Sequence, residues 1–273
     1  MKAALACLLA VWLAGCGPVP RPRAGAYQGS DADVAVTRIA HGSLVLSMRG
    51  TRFVVDPWFH SGLLWRQAEP LGLRPEALPP AAAVVLTQRN AEHFDEEALA
   101  SLARSIPRAV APAPLRDALL ALGFVDVRGL APWERATIED ATLTAVPSSG
   151  GDEQLGFVVA SGEVQVYLAG DTGPFDALGE VAAAFPDLDV AFLPIGGRRI
   201  LGVRRDMGPE QAAEAVALLR PAVAIPTHYG AQGLAPFLWH ASDPVAGFRA
   251  ALAERGLADR LVALEPGESW HRF

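Results

Sequence analysis

A chain of 273 residues with 51% hydrophobic and 19% charged residues carries enough apolar material for one large domain or two small ones, and its mean hydropathy of +0.23 excludes a disordered chain. The net charge of −7, the pI of about 5.4 and a single lysine, Lys2, give no basic face for nucleic acid. Both cysteines, Cys7 and Cys16, lie at the N-terminus, so the rest of the chain has no disulfide and no thiol for a metal or a nucleophile.

In chain order, Lys2 is followed by the apolar run Ala3 to Leu13 and then Leu13-Ala-Gly-Cys16. The run falls short of the roughly 20 residues a spanning helix needs and reads as a cleaved export signal over 1–15. Its ending resembles the bacterial lipoprotein box, which implies lipid attachment at Cys16 and a place in the cell envelope. Gly17 after the cysteine points to the outer membrane, facing the periplasm. Residues 16–33, rich in Pro, Gly and Arg, read as a tether, and 34–273 as the domain.

The domain opens with strands Val34 to Ile39, Leu44 to Met48 and Thr51 to Val55, the last two joined by Arg49-Gly50. Trp58 to Pro80 is a long irregular connection, of a length more often functional than accidental. Val84 to Leu86 is a buried strand, and Glu96 to Arg104 a helix that Asp95 can cap. Further strands fall at Ala109 to Ala111, Val125 to Gly129, Ala136 to Ile138, Ala141 to Val146, Leu155 to Ala160, Val164 to Ala169, Val190 to Pro194 and Val223 to Pro226, with a closing strand at Leu261 to Leu264. Helices run over Leu115 to Leu122, Asp176 to Ala184, Pro209 to Arg220 and Pro244 to Arg255, with Pro209 at a first helical position, where its missing amide costs nothing. This order predicts an α/β or α+β sandwich of two similar halves.

The chemistry gathers after the strand at Val84, where Gln88, Asn90, Glu92, His93 and Asp95 fall within eight positions. A strand that empties polar side chains onto a loop before a helix is a usual place for a site. The stretch resembles the signature loop of the metallo-β-lactamase superfamily, a strand leading into His-x-His-x-Asp-His, with Gln88, Asn90 and Glu92 standing for three of its members and His93 retained. The opening hairpin with His41 and Asp56, Pro147 to Gly151, Ala169-Gly-Asp171-Thr172 and Pro226-Thr-His228-Tyr-Gly230 extend the resemblance over most of 34–273. The nearest branch is that of broad metal-dependent hydrolases that are lactonase-like or N-acyl-phosphatidylethanolamine phospholipase-like. The resemblance implies a four-layer αβ/βα sandwich and, in the family, two metals.

Here the first metal site is vestigial. Gln88 and Asn90 are neutral amides, poor ligands for zinc, and no histidine occurs between Phe94 and Thr227 to supply the third. The second set survives as Glu92, His93, Asp171 and His228, suited to one zinc or other divalent ion, with Glu92 or Asp171 as the base toward an unknown small-molecule ester, lactone, amide or phosphodiester. Two readings stay open: a hydrolase with one metal, and a metal-free, catalytically inactive relative that binds or scaffolds. Arg198, Arg199, Arg204 and Arg205 precede Gly208; by resemblance they border the active-site mouth and would bind an anion, while as a plain run of charges they read as a solvated loop. His41 reads as a core histidine beside the site, and His60, His240 and His271 as surface residues. Trp58, Trp65 and Trp239 either line a pocket or cover the core.

Overall fold

A computed structural model describes residues 25, 27, 29, 30, 32–62, 65–233, 238, 239 and 241–273, without the side chains of 238 and 239. The export signal, Cys16 and His240 lie outside the described residues. Two sheets carry the architecture. The first is built from β1 (Val34–Ala40), β2 (Ser43–Met48), β3 (Thr51–Val55), β5 (Ala83–Val85), β6 (Arg108–Pro112) and β7 (Asp126–Leu130), where β4 is the short Trp65–Gln67. The second holds β8 (Arg135–Ile138), β9 (Ala141–Val146), β10 (Gly156–Ser161), β11 (Val164–Leu168), β12 (Val190–Pro194) and β15 (Val223–Thr227), the intervening β13 (Arg199–Ile200) and β14 (Val203–Arg204) forming a small hairpin. After β16 (Ala231–Gly233) and β17 (Leu238–Trp239), β18 (Ser269–Arg272) joins the first sheet, whose order is β18-β1-β2-β3-β5-β6-β7; the second runs β15-β12-β11-β10-β9-β8.

Alternation within the strands builds the layers. Phe53 and Val55 of β3 point between the sheets, where they meet Leu143, Phe157, Val166 and Phe192 of the second sheet. Val54, between them, faces the other way with Val84 and packs against α1 (Glu96–Leu102) and α2 (Arg116–Ala121) through Leu99, Leu102 and Leu119. Tyr167 and Leu193 do the same on the second sheet, against α3 (Leu178–Ala184), α4 (Pro209–Leu219) and α5 (Pro244–Glu254) through Val181, Val216 and Phe248. Each such side chain, fully buried, contributes about 1.5–3 kcal/mol. The result is the four-layer αβ/βα sandwich. Asp95 caps α1 by accepting from the Ala98 amide at 3.0 Å, and Pro209 stands at the first position of α4.

Several expectations need correction. Leu261 to Leu264 is not a strand. It makes one parallel bridge to Ala224, while the edge beside β1 is taken by β18. The connection Trp58 to Pro80 is not wholly irregular, since its β4 pairs with β16. The arginine-bearing loop is partly folded, as β13 and β14. Trp58 and Trp65 are buried and pack with Ala231. Among the described residues, no helix is long and apolar enough to cross a membrane.

The strands β3, β5, β6 and β7 run parallel, as do β11, β12 and β15. Their carboxyl ends therefore open on one rim, where the chain leaves each strand for a loop. Ligands in open α/β sheets bind at such a rim.

Candidate functional site

Five strand ends supply the site. Asp56 follows β3, Gln88 to His93 follow β5, Asp171 follows β11, Arg198 comes after β12, and His228 follows β15. Asp56 and His228 hold positive φ angles of 42° and 59°, as does the neighbouring His41 at 53°. Left-handed backbone at a non-glycine residue costs on the order of 1–3 kcal/mol and persists where packing enforces it. Gly42 makes room for the ring of His228, which a Cβ there would meet at 2.6 Å.

His93 is fully buried between two partners. Its Nδ1 lies 2.9 Å from Asp56 Oδ2, and Asp56 also accepts from the Thr87 amide (2.8 Å) and hydroxyl (2.7 Å). Burial alone would weaken the hold of His93 on a proton. The adjoining carboxylate of Asp56, with Glu92 and Asp171 behind it, outweighs that and raises its pKa above 6.5. The other nitrogen, Nε2, meets the side-chain amide of Gln88 at 2.7 Å. Gln88 Nε2 also donates to Asp171 Oδ2 at 3.2 Å, and Asn90 Nδ2 donates to Gln88 Oε1 at 3.0 Å. His228 stacks on His93 with ring centroids 4.9 Å apart and Nε2 atoms 3.3 Å apart. Burial, opposed by Asp171, lowers its pKa to about 3, so the ring is neutral.

At the centre stands Arg198. Its Nη1 donates to Glu92 Oε1 and its Nη2 to Asp171 Oδ2, while the Trp65 ring lies 5.6 Å from the guanidinium carbon. The residue is 7% exposed, which corrects the reading of this arginine as part of a solvated loop. Against the effect of burial, Arg198, then His228 and His93, hold Asp171 down to about 2. Asp206 accepts from the backbone amide of Arg198 and lies buried beside Asp171. Burial, and then the charge of Asp171, push its own carboxyl well above the usual range.

The other arginines of the run do not converge with it. Arg199 reaches the Gly202 carbonyl at 3.0 Å, Arg204 reaches Gln211 at 3.3 Å, and Arg205 is exposed at the edge of a cavity of about 350 Å³. That cavity opens above Asp171 and Arg198 and is also lined by Gln88, Asn90 and Ser149. Ser149 stands on the segment where the resemblance places the third histidine. It is tied to the rim by its amide on Thr172 Oγ1 (3.0 Å) and its hydroxyl on the Gly173 amide (2.7 Å). His60 is half-exposed and hydrogen-bonds Asp95, and His271 is exposed. His41 is buried edge-on to His228 and Trp58.

Sequence reasoning brought Gln88, Asn90, Glu92, His93, Asp171 and His228 to one rim, and the structure places them there. It missed the roles of Asp56, Thr87, Asp206 and Glu69. Glu69, from the long connection, binds Arg38 (2.6 and 3.0 Å) and the His41 amide (2.6 Å). Asp56 was in view as part of the opening hairpin of the resemblance, but its hold on His93 depends on a residue 37 positions away and has no local signal.

A four-layer sandwich with an acid-and-imidazole cluster at the carboxyl ends of its strands defines a protein of the metallo-β-lactamase fold. The family described as Beta-lactamase superfamily domain matches residues 51–229, and the chain belongs to it. It is similar to a UPF0173 metal-dependent hydrolase of Aeropyrum pernix, 30% identical over 255 residues that cover 86% of this chain and 96% of that one. A UPF0173 metal-dependent hydrolase of Methanopyrus kandleri is 38% identical over 159 residues, which span 55% of this chain and 60% of the relative. Among solved structures, Igni18 of Ignicoccus hospitalis, described as a novel metallo hydrolase, superposes with a TM-score of 0.70 at 26% identity, covering 87% of this chain and 97% of that one. A possible metal-dependent hydrolase from Veillonella parvula shares the fold, with a TM-score of 0.73 at 21% identity over 87% of this chain and 98% of that one.

Glu92, His93 and Asp171 are a buried group that could hold a metal ion, for each offers a ligand atom and these lie within 4.8 Å of one another. In the arrangement this chain adopts, they do not fit one. The two carboxylates face a guanidinium, and Nε2 of His93 is engaged by the Gln88 amide. The amides at positions 88 and 90 present N–H groups where metal chemistry needs lone pairs.

Proposed function

We propose that this chain keeps the fold and cleft of its hydrolase family as a binding site for a small polar molecule, working without a bound metal and tethered in the bacterial envelope through Cys16. The observation that carries this reading is Arg198, which answers both surviving carboxylates from inside the site. A base that is ion-paired to a buried guanidinium is poorly placed to take a proton, and Asp171, held down to about 2, has little appetite for one. The cleft above them suits a ligand with carboxylate or phosphate oxygens. Gln88, Arg89, Asn90, Ser149 and the exposed Arg205 line its walls, with Glu153 as the one further carboxylate, and about 350 Å³ accommodates a molecule of metabolite size. The pattern Leu13-Ala-Gly-Cys16 supports the tether.

A second reading has one specific observation in its favour, the close approach of the Glu92, His93 and Asp171 ligand atoms. Under it the chain is a single-metal hydrolase of an ester, lactone, amide or phosphodiester, and Arg198 must leave its partners. Thermal melting of the tag-free protein against a panel of small carboxylates and phosphates, with and without EDTA, separates the two. The proposed function predicts a saturable rise with at least one of the anions and a melting curve that EDTA leaves unmoved. A fall in melting temperature with EDTA, accompanied by loss of hydrolysis of a chromogenic ester or phosphodiester, overturns it.

A further inference from the structure

The site contains substitutions that share one sense. Gln88 and Asn90 put amide hydrogens where lone pairs would serve a metal, and Arg198 brings a positive charge on a tether. The guanidinium spans two carboxylates that come from different sheets, Glu92 from the loop after β5 and Asp171 from the end of β11. It joins the two halves of the sandwich at the rim, as an ion shared between those carboxylates would. Asp171 also receives a second N–H, from Gln88 at 3.2 Å. Trp65 closes over the guanidinium at 5.6 Å.

We infer that Arg198 is a tethered cation that has taken over the position and the cross-linking of a metal ion between Glu92 and Asp171, and that shortening its side chain opens a latent divalent-metal site on Glu92, His93 and Asp171, with His228 beside them. An ion cannot share that space with the guanidinium. A second cation against the same carboxylates is repelled at close range in a buried setting, where the repulsion is weakly screened. Removing the guanidinium leaves two carboxylates and an imidazole whose ligand atoms already lie within 4.8 Å of one another, a donor set that suits zinc or cobalt(II). The Gln88 amide is the remaining competitor, and it can turn away from Nε2 toward the cavity it lines.

The inference rests on the metal-free reading of the native site, and the test separates the two. Tag-free wild type, R198A, R198M and R198K are titrated with zinc by calorimetry and with cobalt(II) by visible absorption. R198M keeps the length and apolar bulk of the side chain in case R198A does not fold, and R198K keeps a charge. R198A or R198M should bind one equivalent of zinc at least about 100-fold more tightly than wild type. Cobalt should give the intense visible bands of a low-coordinate site, and zinc should raise the melting temperature of the variant alone. Adding D171N to either variant should abolish binding, and R198K should resemble wild type. If neither shortened variant binds, the latent site is refuted while the metal-free reading stands. If wild type binds one equivalent as tightly as R198A, both fall together.

Discussion

Replacing Arg198 by Met removes a charge and keeps most of the volume, so its cost isolates the ion pairs. At an effective dielectric of about 20, each contact between the guanidinium and a carboxylate at roughly 4 Å is an attraction of about 4 kcal/mol, or about 8 kcal/mol for Glu92 and Asp171 together. Several kcal/mol return because the guanidinium no longer has to be stripped of water. The net loss should be about 3–5 kcal/mol, the range for a buried pair broken on one side. For a domain of this size that is a fall in melting temperature of roughly 6–20 °C. Urea and thermal denaturation at pH 7 measure it. The pH dependence gives a second handle. In the wild type Arg198 holds Asp171 down to about 2, so this stabilisation is present above the unfolded value of 3.8 and is lost only as pH falls through about 2. In R198M, burial without the guanidinium raises the Asp171 pKa, so the carboxyl takes up its proton earlier and the deficit relative to wild type narrows as the solution is acidified. In a D171N background the same substitution should cost markedly less. A loss under about 1 kcal/mol at pH 7, with a gap that acid leaves unchanged, would refute the ion-pair account of the site.

Other outcomes follow from the same cluster. His228 has a folded pKa of about 3 against 6.5, so it contributes stability that is present above 6.5 and lost as pH falls from 6.5 toward 3; H228Q should flatten the stability profile over that interval. His93 works in the opposite sense. Its pKa is raised, so its contribution is complete below 6.5 and is lost as pH rises through the folded value, and NMR titration of the ring should show it moving down in D56N. G42A places a Cβ 2.6 Å from the His228 ring and should destabilise by about 1–3 kcal/mol through overpacking, readable by urea denaturation and by displaced ring shifts of His228.

The fold was legible because its signals are local. Alternation in β3, the buried run at Val84 and the cap at Asp95 each depend on a handful of neighbouring residues, and the structure has each of them in place. The closing strand failed for the opposite reason. Leu261 to Leu264 has the composition of a strand and lies along the outer side of β15, but its pairing there stops at a single parallel bridge to Ala224, and the strand that closes the chain is β18, beside β1 in the other sheet. The site divides in the same way. Glu92, His93, Asp171 and His228 announce themselves as polar residues at the ends of apolar strands. Arg198 reads locally as one of four arginines in a polar loop, because its partners lie 106 and 27 residues away. Nothing within reach of Arg198 along the chain distinguishes it from Arg199, whose guanidinium turns to a neighbouring carbonyl. Asp206 is hidden for the same reason, since its burial against Asp171 exists only once β11 and the hairpin of β13 and β14 have come together.

The most direct test is a crystal structure of the wild-type protein grown in excess zinc, with data collected on both sides of the zinc absorption edge. Arg198 should show continuous density between Glu92 and Asp171, and no anomalous peak should appear within coordination distance of His93. An anomalous peak bound by Glu92, His93 and Asp171, with the Arg198 side chain turned out into the cleft, would contradict the account.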